Sequence, residues 1–309
     1  MSRPRVVSLI ASATEILHEL GAGSLQVARS HECDWPESVL ELPALTRAKF
    51  KVAGSSRDID VAVKSLVEQG LAVYEVDADR MRDAAPDVIL TQDQCEVCAV
   101  SLADVEKAVA TWNECRANVV SLRPHTMADI YADNQRIADA LGTPEKGADL
   151  NRRMQERLAA IASRVAGLSK PRLAFVEWID PQMSGGHWMP ELIATAGGID
   201  LLGVHGGISP WITVADIAAS DPDVILVGPC GYDLEKTREE MAVLDSNREW
   251  QNLRAVRDGR LYIADGNAFF NRPGPRLVES AEIIFEVLHP ELSGYGHMGQ
   301  AVVCHRAGS

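Results

Sequence analysis

Nothing constrains the fold of this chain more than a phrase it uses twice. Ala85-Pro86-Asp87-Val88-Ile89-Leu90 returns as Asp221-Pro222-Asp223-Val224-Ile225-Leu226. Each copy follows a helical stretch and opens a short apolar run of strand type. Each is then succeeded by a polar loop, a helix and a further strand, at 118–122 and 260–264. The starts match as well. Arg5-Val-Val-Ser-Leu-Ile10 precedes a helix over 14–20 and Gly21, while Arg172-Leu-Ala-Phe-Val176 precedes a helix over 190–196 and Gly197-Gly198. Strands alternating with helices mean βαβ units. The expected fold is therefore α/β: two βαβ-type lobes with mostly parallel sheets, joined by one long helix, with a ligand cleft between the lobes.

The helix is expected over 143–168. Thr143 is a natural N-cap, Pro144 fits the first helical position and Gly167 stops the run. Leu150, Met154, Leu158, Ile161 and Val165 make one apolar stripe. With no Gly/Ser linker, such a rod implies lobes that move little. The expected domains are an N-terminal lobe at 1–142, the helix at 143–168, a C-terminal lobe at 169–289 and a flexible tail at 290–309, where Ser293-Gly-Tyr-Gly-His-Met-Gly299 turns polar and glycine-rich.

Composition narrows the function. Thirty Lys and Arg against 44 Asp and Glu give a net charge of -14, with no basic cluster, which argues against nucleic acid as a partner. No apolar run reaches the ~18 residues of a membrane span. Met1-Ser-Arg-Pro-Arg5 leads straight into a strand without the pattern of a secretion signal, so a cytoplasmic monomer with reduced thiols is expected, or a periplasmic or extracellular one if the true start lies upstream. No nucleotide fingerprint, nucleophile elbow or His-Glu-x-x-His appears, so the chain is expected not to be an enzyme.

In open parallel sheets ligands bind beyond the carboxyl ends of the strands. That rule selects Ser12 after the first strand, His31, Cys33 and Trp35 after the second, and Gln92, Gln94, Cys95 and Cys98 after the strand at 88–91. In the second half it selects Glu177, Trp178, His187, Trp188 and Cys230, with Arg272 in a Pro/Gly turn near the rim. Indole rings offer large rigid surfaces to a flat or bulky ligand. Trp112 and Trp250 read as helix–sheet packing. Arg272 is either a clamp for a ligand carboxylate or phosphate, or the cap of a rigid turn. His31-x-Cys33 with Cys95-x-x-Cys98 could close a tetrahedral Cys₃His site for zinc or iron; inert or redox thiols are the alternatives. His297, Cys304 and His305 are further metal-attracting types in the tail.

These features together, with Ser8-x-x-x-x-x-Thr14-Glu15-Ile16-Leu17-x-x-Leu20-Gly21, resemble the substrate-binding proteins of iron-siderophore, haem and cobalamin ABC importers, over about residues 4–289 and most closely the cobalamin-binding branch. The resemblance implies non-enzymatic binding of a small molecule, cobalamin or a related corrinoid, tetrapyrrole or metal chelate, with His31 or His187 a candidate axial ligand. It also implies a transporter-docking glutamate in each lobe. Ala215 stands at the second position, and Asp58 and Asp60 align only loosely with the first. The competing expectation is a metal-thiolate protein or enzyme built on His31, Cys33, Cys95 and Cys98.

Overall fold

A computed structural model describes residues 3–49, 54–68, 73–92, 117–292 and 294–306. The chain divides into two compact units. Unit 1 is Met1–Gly54, Val61–Pro124 and Ala128–Arg153; unit 2 is Ser55–Asp60, His125–Met127 and Met154–Ser309. The division falls inside the helix Pro144–Val165, whose stripe residues Leu150, Met154, Leu158, Ile161 and Val165 are all buried as the periodicity requires.

Unit 1 holds strands β1 (Val6–Ser8), β2 (Gln26–Arg29), β3 (Thr46–Ala48), β4 (Tyr74–Val76), β5 (Val88–Gln92) and β6 (Asn118–Leu122). β2-β1-β5-β6 form a parallel sheet, and β3 and β4 pair antiparallel. Every residue of β5 is buried, as a central strand covered on both faces must be.

Unit 2 holds β7 (Arg172–Trp178), β8 (Met183–Ser184), β9 (Gly186–His187), β10 (Ile199–Asp200), β11 (Val204–His205), β12 (Val224–Val227), β13 (Leu261–Ala264) and β14 (Val302–Cys304). Its main sheet runs β10-β7-β12-β13-β14, with β8 beside β7, and β9 and β11 form a separate parallel pair. The order β10-β7-β12-β13 repeats the order β2-β1-β5-β6 of unit 1.

The duplicated phrase is duplicated in atomic detail. The helices Ala78–Ala84 and Val214–Ser220 each end on a left-handed residue, Ala85 at φ 43° and Asp221 at φ 42°. Two residues on, Asp87 accepts the Arg5 amide at 2.7 Å and Asp223 accepts the Arg172 amide at 2.8 Å. Both arginine side chains return to carbonyls at the end of the preceding helix, Ala84 in one copy and Ser220 and Asp221 in the other. Each aspartate thus fixes the start of its strand against the neighbouring one.

The segment after Pro290 departs from the expected flexible tail. Val302–Cys304 pairs antiparallel with β13, and the carboxylate of Glu286, 5% exposed, accepts the successive amides of Tyr295, Gly296, His297 and Met298. His297 bonds Glu282 at 3.0 Å, His305 bonds Asp245 at 2.8 Å and Cys304 reaches the Gly259 carbonyl, so these side chains anchor the chain end rather than stand open to a metal. A carboxylate that satisfies a run of amides orders a glycine-rich stretch that has no apolar periodicity of its own.

Candidate functional site at the strand carboxyl ends

In unit 1 the sheet order reverses between β1 and β5, the kind of switch point where α/β sheets take ligands. Ser12 and Gln92 lie there, 1% and 4% exposed, and the Ser12 hydroxyl has no hydrogen-bond partner among the described residues. Past β2, His31 is half-buried beside Tyr74, ring centroids 5.2 Å apart. Thr46 Oγ1 accepts the His31 backbone N–H at 3.0 Å and donates to Ser30 Oγ at 3.0 Å. The same hydroxyl lies 2.7 Å from Nδ1 of the His31 ring, so that Nδ1 is the nitrogen engaged by the protein. Burial, and then the charge of Arg29, lower the His31 pKa and keep the ring neutral. Trp35 is half-exposed nearby in sequence.

Cys33 behaves differently from the expected thiolate ligand. It is fully buried, accepts a hydrogen bond from Thr14 Oγ1 at 3.1 Å and faces the Ser8 carbonyl, while His31 is committed to Thr46. Side chains two residues apart in this turn point to different partners. Among the described residues no three His, Cys, Asp or Glu side chains gather to hold a metal. Gln94, Cys95 and Cys98, with Trp112, lie outside the described residues.

In unit 2 the corresponding switch point lies between β7 and β12. Here the Cys230 amide donates to the Glu177 carbonyl at 3.0 Å, so the two strand ends meet. The Glu177 carboxylate accepts from Ser209 at 3.0 Å. Trp178 packs on Tyr232 with centroids 5.3 Å apart, and the Tyr232 hydroxyl is buried without a hydrogen-bond partner among the described residues. Burial, and then Glu240 and Asp58, push the Tyr232 pKa up, so it stays protonated and able to donate. Asn271 lies 3.2 Å from Cys230 Sγ. Arg272 is 6% exposed and donates to Asn267 at 3.0 Å; it sits inside the turn rather than on an open rim. Trp250 is fully buried in the core of unit 2.

His187 and Trp188 occupy a separate part of unit 2. Trp188 is buried and stacks on the His187 ring at 5.7 Å. His187 faces a residue that no sequence pattern selects: His125, Nδ1 to Nδ1 at 3.2 Å. Sixty-two positions separate the two, and only the placement of His125–Met127 with unit 2 brings them together. Tyr232, Thr46 and Glu191 escape sequence reasoning for the same reason: they are single residues with no motif, given roles by tertiary neighbours.

The two stretches in which the resemblance implies docking glutamates both begin helices, Ser56–Glu68 and Val214–Ser220. Asp58 accepts the Ser55 amide and hydroxyl, as Asp216 accepts those of Thr213, so each closes the start of a helix and is held below the usual carboxylate range by those bonds. The two starts align Ser55-Ser56-Arg57-Asp58-Ile59 with Thr213-Val214-Ala215-Asp216-Ile217. Arg57, which pairs with Asp180, therefore corresponds to Ala215, and neither copy carries an acid at that position.

A sheet order used twice, with polar and aromatic side chains beyond the strand carboxyl ends, is an arrangement in which α/β sheets take ligands. The chain belongs to the periplasmic binding protein family, whose sequence profile matches residues 6–268. It is 20% identical over 284 residues to the vitamin B12-binding protein of Vibrio cholerae, covering 90% of this chain and 86% of that one. It is 22% identical over 296 residues to an uncharacterised ABC transporter substrate-binding lipoprotein of Bacillus subtilis, covering 93% and 80%. Among solved structures, a periplasmic heme-binding protein of Pseudomonas aeruginosa superposes with a TM-score of 0.71 at 19% identity, covering 95% of each chain. The periplasmic vitamin B12-binding protein of Vibrio cholerae gives 0.65 at 19% identity, covering 93% and 97%. The expected cytoplasmic placement finds no support among these relatives, which are periplasmic or lipoproteins. No helix among the described residues is long and apolar enough to cross a membrane.

Proposed function

We propose that the chain binds a corrinoid, cobalamin first among them, as the substrate-binding component of an importer. What supports the ligand is the match to vitamin B12-binding proteins over nine-tenths of the chain. The observation that carries the site is the meeting of Glu177, Trp178 and Cys230 at one switch point, with the Tyr232 hydroxyl buried beside them and without a partner among the described residues. An aromatic wall with a few fixed donors and acceptors suits a ligand whose rim is lined with amides. Ser12, Gln92 and Trp35 follow the strand ends of unit 1, a switch point of its own. Haem is the second reading, favoured by His31: Nδ1 is engaged by Thr46, which leaves Nε2 as the ring nitrogen for a metal. His187 is the other candidate axial ligand. A zinc or iron thiolate centre is not proposed, because Cys33 is sealed among Thr14 and Ser8. With Ala215 where the resemblance implies the second docking glutamate, and Asp58 and Asp60 only loosely placed for the first, a transporter would be met through other residues.

The test is a thermal-shift panel of hydroxocobalamin, haemin and a ferric siderophore. A ligand at ~100 times its dissociation constant adds about 2.7 kcal/mol of stability. Hydroxocobalamin should raise the midpoint and stay with the protein through gel filtration, and Trp178→Ala should weaken it at least about tenfold. Stabilisation by haemin alone, lost in His31→Ala, would replace the corrinoid reading with the second.

A further inference from the structure

His125 and His187 meet Nδ1 to Nδ1 at 3.2 Å, both within unit 2. Two imidazole nitrogens that close can share either a proton or a metal ion. The distance suits the ion. With metal–nitrogen bonds of ~2.0–2.1 Å, nitrogens on neighbouring positions of one ion stand about 2.8 to 3.4 Å apart, and those on opposite positions about 4.1 Å. The pair is thus spaced as neighbouring ligands. It cannot grip the centre of a flat macrocycle from its two faces, so an ion held by both rings lies outside any such ring system.

The surroundings hold the two rings in place. His187 directly follows Gly185-Gly186 and has a left-handed backbone, φ 52°. A residue other than glycine is strained there and persists only where its neighbours fix it, a condition that recurs at ligand sites. Here the His187 amide donates to the Gly207 carbonyl at 2.7 Å, and its carbonyl accepts the Gly206 amide at 2.9 Å. Trp188, itself buried, stacks on the His187 ring with centroids 5.7 Å apart. His125 is held through its own segment, because the Met127 amide donates to Glu191 Oε1 at 3.0 Å. The same oxygen takes His205 Nε2 at 3.0 Å, and His205 is paired with His187 in the β9–β11 register. One carboxylate therefore ties the His125 segment to a third histidine and sets a negative charge near the pair. Two ring nitrogens, not three, stand ready among the described residues, so the ion would keep at least two positions for water. An ion held in that way is exchangeable rather than structural.

We propose that His125 and His187 bind one divalent transition-metal ion of the kind imidazole prefers (zinc, copper or nickel) through their two Nδ1 atoms, with Glu191 offsetting its charge. The site does not depend on the cargo proposed above. An ion seated there occupies His187 and leaves His31 as the candidate axial ligand.

The test is calorimetric titration of the full chain with zinc after a chelator has stripped it of metal. The native chain should show a zinc-binding event that His125→Asn and His187→Asn each weaken at least about tenfold, since even the loss of an outer-shell partner costs a metal site that much. Asparagine at 125 keeps a hydrogen bond to the His187 ring but is a poor zinc ligand, and asparagine at 187 tolerates the left-handed backbone. A contact that is only a hydrogen bond would leave zinc binding undiminished in both variants. The second measurement, isotope-edited NMR of the histidine rings, uses the native chain and so does not depend on how the variants fold. Zinc should shift the Nδ1 resonances of two histidines together, and the variants should identify those two as His125 and His187. Absence of zinc binding by the native chain, binding undiminished in either variant, or a shift confined to Nε2 atoms would overturn the site. Neither measurement contains a corrinoid, so failure of the proposed function would leave this result untouched, and the reverse holds as well.

Discussion

Asp87 and Asp223 seize the first amides of β1 and β7 in the same way, each two residues beyond a left-handed helix end and each beside an arginine that turns back on that end. Past the carboxyl ends of the same strands the described residues of the two units share almost nothing. Unit 1 has Ser12, Gln92 and a His31–Thr46–Ser30 relay, whereas unit 2 has Glu177–Ser209, Trp178–Tyr232 and a histidine pair. The amino ends set strand register, where a slip would misplace every side chain downstream. The carboxyl ends carry loops, which can change without moving the sheet. The fold repeats where geometry is strict and diverges where chemistry is chosen.

Even the amino ends differ in one respect, and the sheets in another. Unit 2 adds Arg254, which bonds Asp221 and Asp223 at 2.9 Å each, and among the described residues only its main sheet carries a further strand, β14, laid antiparallel on β13. The largest effect should come from the second difference. Glu286→Ala leaves a run of amides without its acceptor and should cost about 3 kcal/mol, read by urea unfolding, with loss of exchange protection confined to β13, β14 and their neighbours. If β1 and β5 lost protection equally, the two sheets would not differ in the way described. Next comes the pair Asp223→Ala and Asp87→Ala. The first should cost about 2 kcal/mol and the second about half of that, because Asp223 is less exposed and serves Arg254 as well as the strand amide. Equal costs would mean that Arg254 adds nothing.

The smallest effect separates His31 from a surface histidine. Its folded pKa lies below its unfolded value, so its contribution to stability is present above about pH 6.5 and is lost as pH falls through the lower folded value. Between pH 7 and 5.5 the native chain should lose stability more steeply than His31→Gln, by a fraction of the ~1.4 kcal/mol that one proton can contribute per pH unit. Parallel pH profiles would show that the relay to Thr46 leaves the ring free to charge.

The parts of this fold that were legible in the sequence are those written in local pattern. The apolar stripe from Leu150 to Val165, the twin Pro-Asp strands and the terminal helix Leu277–Leu288 all lie where periodicity puts them. The aspartate locks span 82 and 51 residues, so only their repetition was visible and not their partners. Cys33 shows the opposite failure. His-x-Cys is metal-like spacing, yet Thr14, nineteen positions earlier, already occupies the sulfur. His125 precedes a helix in a segment that reads as unit 1, and nothing local marks it as a partner for His187.

The Glu286 cradle has a consequence for the solutions in which this protein keeps its shape. Its carboxylate is met by backbone dipoles at short range, with no counter-cation among the described residues whose attraction dissolved salt could weaken, whereas Arg254 and its aspartates lie within reach of screening. The closing strand of unit 2 should therefore hold alike in brine and in fresh water, and ionic strength becomes a dial that loosens one end of the sheet while leaving the other untouched.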